Sequence, residues 1–176
     1  FRVYEINPQV EELARSHFTY LADCRGEEQV VLGDARISLE RELAEGEPQQ
    51  FDALFVDAFS GDSIPIHLLT REAFDLYFKH LKPGGVLAIH ITNLHLDLAD
   101  PVRNLAAAFD REALRVDHSP DVTEDHAYYS DWILVTRDPA FIEALEASGR
   151  VSMWDRPDPR PIHWTDAYSN LFGVAF

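Results

Sequence analysis

The sequence predicts an α/β fold with a doubly wound, mostly parallel sheet. Two observations carry that prediction. Short apolar runs of strand length alternate along the chain with amphipathic stretches of helix length, the pattern of right-handed βαβ units. Three of the runs end on an acid or on Gly-Asp, at Glu5, Gly33-Asp34 and Asp57. Open α/β sheets bind ligands in the crevice outside the carboxyl ends of their strands.

The elements follow in order. Phe1 to Ile6 reads as a strand ending at Glu5. Asn7-Pro8 opens a helix, with Asn7 as N-cap and Pro8 at the first helical position. Val10, Leu13, Ala14, His17, Phe18 and Leu21 mark its apolar face. Val30 to Leu32 is a short strand, Ala35 to Leu43 a helix, and Ala44 to Gln50 a loop. Phe51 to Asp57 is the central strand. Thr70 caps a helix running through Leu81, with Glu72 in its first turn. Lys82 to Gly85 reads as a turn, and Val86 to Ile91 as the next strand. Asp100-Pro101 opens a helix to about Ala113, again with a cap and a proline at its first position. Leu114 to His118 and Asp131 to Thr136 are strands. The second of these closes the sheet antiparallel, because no helix fits between the two. Asp138-Pro139 begins a final helix to about Ala147, and a Pro-rich, aromatic tail follows from Val151.

The composition narrows the function classes. A chain of 176 residues with 46% hydrophobic residues is long and apolar enough for one globular domain. Its formal charge of −16 excludes unaided binding to nucleic-acid phosphates and favours cations, amines among them. The single cysteine, Cys24, excludes an internal disulfide and reads as structural. No apolar run is long enough to span a membrane. The chain opens without Met directly into strand-like sequence and contains no G-x-G-x-x-G. The expectation is that a first strand and its Gly-rich loop lie upstream of Phe1.

The acids are the candidate functional groups. Glu5, ending the first strand, suits bidentate acceptance from two ribose hydroxyls. Gly33-Asp34-Ala35 suits an adenine amino group, although Asp34 taken alone reads first as a helix N-cap. Asp57 and Asp62 flank the loop Ala58-Phe59-Ser60-Gly61 and suit a cationic ligand with a proton to lose. Freeing the lone pair of a primary amine at neutral pH costs about 4–5 kcal/mol, and a positioned carboxylate offsets part of that. His90, His95 and Asp97 match no common zinc spacing, and His90 within LAIHI reads as a packed histidine. Ser60 lacks the G-x-S-x-G frame of a nucleophile. Asp131-Trp132 and Trp164-Thr165-Asp166 suit either a cation site or aromatic core packing, the second being favoured.

Taken together, VYEINP, LGDAR, FDALFVDAFSGDSIP and LKPGGVLAIHITN resemble the spermidine/spermine synthase family in order and spacing. With DAFSGDSIP and the closing WTDAYSNLF, the chain most resembles bacterial synthase-like domains often fused to membrane segments. The resemblance runs from Phe1 to about Thr136. It implies the class I S-adenosylmethionine methyltransferase-like Rossmann fold and an aminopropyltransferase. The donor would be decarboxylated S-adenosylmethionine, the acceptor putrescine or a related amine, and no metal would take part. Glu5, with Ile6 beside it, would hold the ribose, and Asp34, with Gly33 and Ala35, the adenine. Asp57 would orient the attacking amine and accept its proton. The family shows two aspartates three apart; here Asp62 lies five beyond Asp57 and is the candidate second acid. Tyr128 and Tyr129 fall in the acceptor region without a matching motif. A homodimer in the cytoplasm is the assembly and place the resemblance implies. Two other functions share Glu5 and Asp34: an S-adenosylmethionine-dependent small-molecule methyltransferase, and a non-catalytic domain that binds adenosyl compounds or polyamines.

Overall fold

The computed structural model describes residues 1–58, 65–119 and 128–175. The chain divides into two compact units, Phe1–Pro48 and Gln49–Phe176.

The first unit is a βαβα run: β1 (Arg2–Glu5), α1 (Pro8–His17), β2 (Gln29–Leu32) and α2 (Ala35–Ala44). β1 and β2 pair in parallel, with Glu5 opposite Leu32. Asn7 caps α1, its side-chain oxygen accepting from the Gln9 amide at 3.0 Å, with Pro8 in the first turn as expected. The predicted apolar face of α1 is only partly covered. Ala14 and Leu21 are buried, whereas Val10, Leu13 and Phe18 are exposed. The unit is tied internally by Glu42, a buried carboxylate that accepts from Arg2 and from the Tyr4 hydroxyl, the latter at 2.7 Å.

The second unit carries a four-stranded mixed sheet in the order β3-β4-β6-β5. Its strands are β3 (Phe51–Val56), β4 (Leu81–His90), β5 (Glu112–His118) and β6 (Ser130–Thr136), with helices α3 (Arg71–His80), α4 (Ala99–Ala108) and α5 (Pro139–Ala147). β3 and β4 are parallel, and β6 runs antiparallel to both its neighbours, including β5 as expected. Leu87, Ile89, Ile133 and Val135 share one face and are fully buried, with α3 and α4 packed against these strands. The opposite face carries Phe55, Ala88, His90, Trp132 and Leu134 by register, and it is less covered: Phe55 is 69% exposed.

Three local expectations change. Lys82 to Gly85 belong to β4 rather than to a turn, because the β3–β4 register shifts between Phe51 and Ala53 and absorbs the extra residues. A side chain at Gly85 would stand 3.0 Å from the Phe51 carbonyl oxygen, so the close strand approach requires glycine. α4 stops at Ala108, where Asp110 adopts a positive φ of 51° and the chain turns into β5. Asp100 does not cap α4. The Asp97 carboxylate accepts from the Ala99 amide instead, and Asp100, 2% exposed, accepts from Arg156 and Arg160 of the tail. Thr70 and Asp138 cap α3 and α5 as expected.

The tail is strapped to this unit. The Arg103 guanidinium lies over the Trp154 ring, 4.4 Å from its centre, and Asn104 donates to the Arg160 carbonyl. Trp164 is buried, and its carbonyl accepts from the Arg71 amide. Asp166 accepts from the Thr70 hydroxyl at 2.7 Å. Among the described residues no helix is long and apolar enough to cross a membrane.

Candidate active site

In the first unit, β1 and β2 end side by side. The Gly33 amide donates to the Glu5 carbonyl at 2.9 Å, so Glu5, Ile6, Gly33, Asp34 and Ala35 gather at one carboxyl edge. Gly33 has φ 133°, a conformation open to glycine and strained for other residues. One Glu5 oxygen accepts from the Asn7 amide at 2.8 Å. Its other oxygen has no partner among the described residues and can accept from a ligand hydroxyl. Asp34 is the N-cap of α2, with Oδ1 accepting from the Ile37 amide at 3.0 Å. The capping alternative therefore holds for that oxygen. Ile6 (71%) and Ile37 (65%) are exposed beside these acids and offer apolar surface to a planar ring.

In the second unit, Asp57 follows β3 and the end of β4 brings His90 to it. His90 Nδ1 lies 2.7 Å from Asp57 Oδ1. The other ring nitrogen, Nε2, lies 2.8 Å from the Thr92 hydroxyl, which accepts from the Asp131 amide at 2.8 Å. The imidazole stacks on Trp132, with ring centres 4.6 Å apart and planes 10° from parallel, and Phe55 meets that indole edge-on. Asp57 is half-exposed and His90 largely covered. Asp57 Oδ2 has no partner among the described residues. Asp62 lies outside the described residues.

Sequence reasoning treated His90 as a packing residue, and the structure shows it hydrogen-bonded to the candidate acid. The signal was the strand period. Val86, Ala88 and His90 share one face, and the register that pairs Val56 with Ile89 sets His90 beside the residue after Val56.

The aromatic-acidic segments divide as packing and strapping rather than as a cation site. Arg115 grips Asp131 with Nε and Nη2, the shortest contact being 2.8 Å, and Asp131 is buried. That grip raises the Arg115 pKa further above its ordinary value. The Tyr129 hydroxyl reaches the same carboxylate at 3.3 Å; its pKa is raised, first by burial and then by the Asp131 charge. Tyr128 is exposed. A cavity of about 560 Å³ on the less covered sheet face is lined by Ala53, Phe55, Val86, Ala88, Leu134 and Phe141. None of the candidate acids lines it. No His/Cys/Asp/Glu group among the described residues could hold a metal ion.

Comparison with known proteins supports the resemblance and the fold. No protein-family model matches the chain. A polyamine aminopropyltransferase of Vibrio vulnificus is 35% identical over 85 residues, covering 48% of this chain and 27% of that protein. An N-terminal histidine N-methyltransferase of Emericella nidulans is 29% identical over 128 residues, covering 69% of this chain and 22% of that protein. The chain thus spans about a quarter of the length of these curated relatives. A solved spermidine synthase in complex with the transition-state analogue AdoDATO superposes with a TM-score of 0.57 at 13% identity, covering 94% of this chain and 55% of that one. Human methyltransferase-like protein 13 in complex with SAH superposes with a TM-score of 0.60 at 19% identity, covering 95% and 74%. The chain has the class I S-adenosylmethionine methyltransferase-like fold and resembles the spermidine synthase family in sequence.

Proposed function

We propose that this chain is the catalytic part of a spermidine synthase-like aminopropyltransferase, with decarboxylated S-adenosylmethionine as donor and a small-molecule amine such as putrescine as acceptor. The observation that supports it most is Asp57: a carboxylate at the carboxyl end of a parallel strand, one oxygen engaged by His90 and the other open.

The reaction is a direct displacement. The amine nitrogen forms a bond to the propyl carbon next to the sulfonium. The carbon–sulfur bond breaks, and its electron pair stays on sulfur as neutral 5′-methylthioadenosine. The proton the nitrogen sheds goes to the carboxylate. Asp57 acts mainly by position, because holding the amine in line is worth about 7–11 kcal/mol against the 4–5 kcal/mol needed to deprotonate it. Asp62 is the second acid in this reading. Glu5, with Ile6, takes the ribose, and Gly33, Asp34 and Ala35 the adenine. The charge of −16 draws a polycationic acceptor and suits no nucleic acid. No step of this displacement calls for a metal.

A second reading is an S-adenosylmethionine-dependent methyltransferase. The similarity to the Emericella and human methyltransferases favours it, and it shares Glu5 and Asp34 while needing no Asp57.

The test incubates the full-length protein with decarboxylated S-adenosylmethionine and a mixture of putrescine, cadaverine and spermidine, with products read by mass spectrometry. A new aminopropylated amine together with methylthioadenosine is expected. Asp57→Ala should abolish turnover while donor binding persists. Donor binding without product would overturn the aminopropyltransferase reading for these acceptors.

A further inference from the structure

We infer that His90 is a positioning residue for Asp57: it holds one carboxylate oxygen so that the other faces the acceptor amine. The inference rests on the assignment of Asp57 proposed above, and it adds a residue to which the sequence reading gave only a packing role.

The donor and acceptor chemistry gives the contacts a direction. An ionised carboxylate only accepts, so the 2.7 Å contact requires the proton on His90 Nδ1. In the neutral imidazole Nε2 then accepts, so the Thr92 hydroxyl, 2.8 Å away, donates to it. Thr92 can do so because its oxygen already accepts from the Asp131 amide, which can only donate. The chain therefore runs from the Asp131 amide to Thr92, then to His90, then to Asp57. Its first member is backbone at the start of β6, where the Asp131 carbonyl also accepts from the Ile91 amide at 2.9 Å. The relay is thus anchored to the sheet.

Ring orientation is set separately. Trp132 pairs with His90 across the β4–β6 ladder and stacks on the imidazole at 4.6 Å. Phe55 braces the indole from β3. The imidazole plane is fixed by packing and its tautomer by hydrogen bonds, as in sites where an outer partner orients a working group. Asp57 is more than half exposed. An exposed carboxylate without such a hold samples several rotamers, and each unproductive one lowers the fraction of bound amine that is aligned.

The test uses the full-length protein and five variants: His90→Leu, His90→Asn, Asp57→Asn, Asp57→Ala and the double variant His90→Leu/Asp57→Asn. His90→Leu should lower kcat about 10- to 150-fold, the loss of one charge-assisted hydrogen bond, with the donor Kd unchanged. His90→Asn should recover most of that loss, because its amide nitrogen can donate from near the Nδ1 position. His90→Leu should cost clearly less once Asp57 is Asn, because a neutral amide oxygen accepts from Nδ1 more weakly than a carboxylate. A loss of equal size in both backgrounds, or no recovery with His90→Asn, overturns the inference. Full turnover by Asp57→Asn would instead sink the reading of Asp57 and the inference with it. An inactive Asp57→Asn with a fully active His90→Leu sinks the inference alone. A readout independent of turnover is the ¹⁵N–¹H spectrum of the imidazole. Nδ1 should be protonated in the wild type, and Asp57→Ala should shift the balance towards Nε2–H. An Nε2–H tautomer in the wild type overturns the inference.

Discussion

Replacing Asp100 with alanine should release the tail from the second unit. The Asp100 carboxylate is 3% exposed and accepts from Arg156 Nη1 at 2.8 Å and Arg160 Nε at 2.6 Å, with Arg103 Nη1 at 4.0 Å. Removing one partner of a fully buried ion pair costs about 3–5 kcal/mol. Two features reduce that figure here. Arg156 and Arg160 are 42% and 36% exposed and can turn to water, and Asp97 keeps a contact of 2.9 Å to Arg160. Arg103 is the exception, because it is 12% exposed and loses its nearest carboxylate. The expected net cost is about 2–3 kcal/mol, or about 4–12 °C in Tm at roughly 2–4 °C per kcal/mol for a chain of this size. Thermal melts followed by circular dichroism measure it, and limited chymotrypsin digestion after Trp154 and Trp164, neither of which precedes a proline, should quicken in parallel. A Tm within 1–2 °C of wild type, about the size of a surface substitution, would refute the claim that this buried charge holds the tail.

Two further outcomes follow from packing and titration. Gly85→Ala should destabilise the protein by about 1–3 kcal/mol, because the new methyl group meets the Phe51 carbonyl oxygen at 3.0 Å and Leu81 at 3.1 Å; denaturant unfolding with an unchanged m-value checks it. Burial first, and then the hydrogen bond to Glu42, raise the pKa of the Tyr4 hydroxyl above its ordinary value near 10. The folded chain therefore keeps this proton where the unfolded chain releases it. The stabilisation is complete below about pH 10 and is lost as pH rises through the folded value. Tyr4→Phe should flatten the alkaline fall in stability above about pH 10, and a slope identical to wild type would count against the Tyr4–Glu42 contact.

Local signals were legible in the sequence. The caps at Asn7, Thr70 and Asp138 depend on a side chain and an amide two or three residues on, and they form as read. Strand positions followed from apolar runs, and the antiparallel closing strand from a connection too short for a crossover helix. Glu5 and Gly33 could be placed together because each ends one strand of the same βαβ step. Other features were undecided by any local pattern. Asp100-Pro101 marked the start of α4 correctly, but burial turned Asp100 away from the cap and towards arginines 56 and 60 residues away. Trp164 suited a cation site or core packing, with packing favoured, and the packing of the tail buried it. His90 looked like core, and only the register between β3 and β4 joined it to Asp57 across 33 residues. The sequence alone determined the elements, their caps and the acids at the strand ends, because those signals lie within a few residues of one another. Tertiary structure decided which acids are already engaged and which keep an open oxygen, because that depends on strand register and burial between residues far apart in the chain.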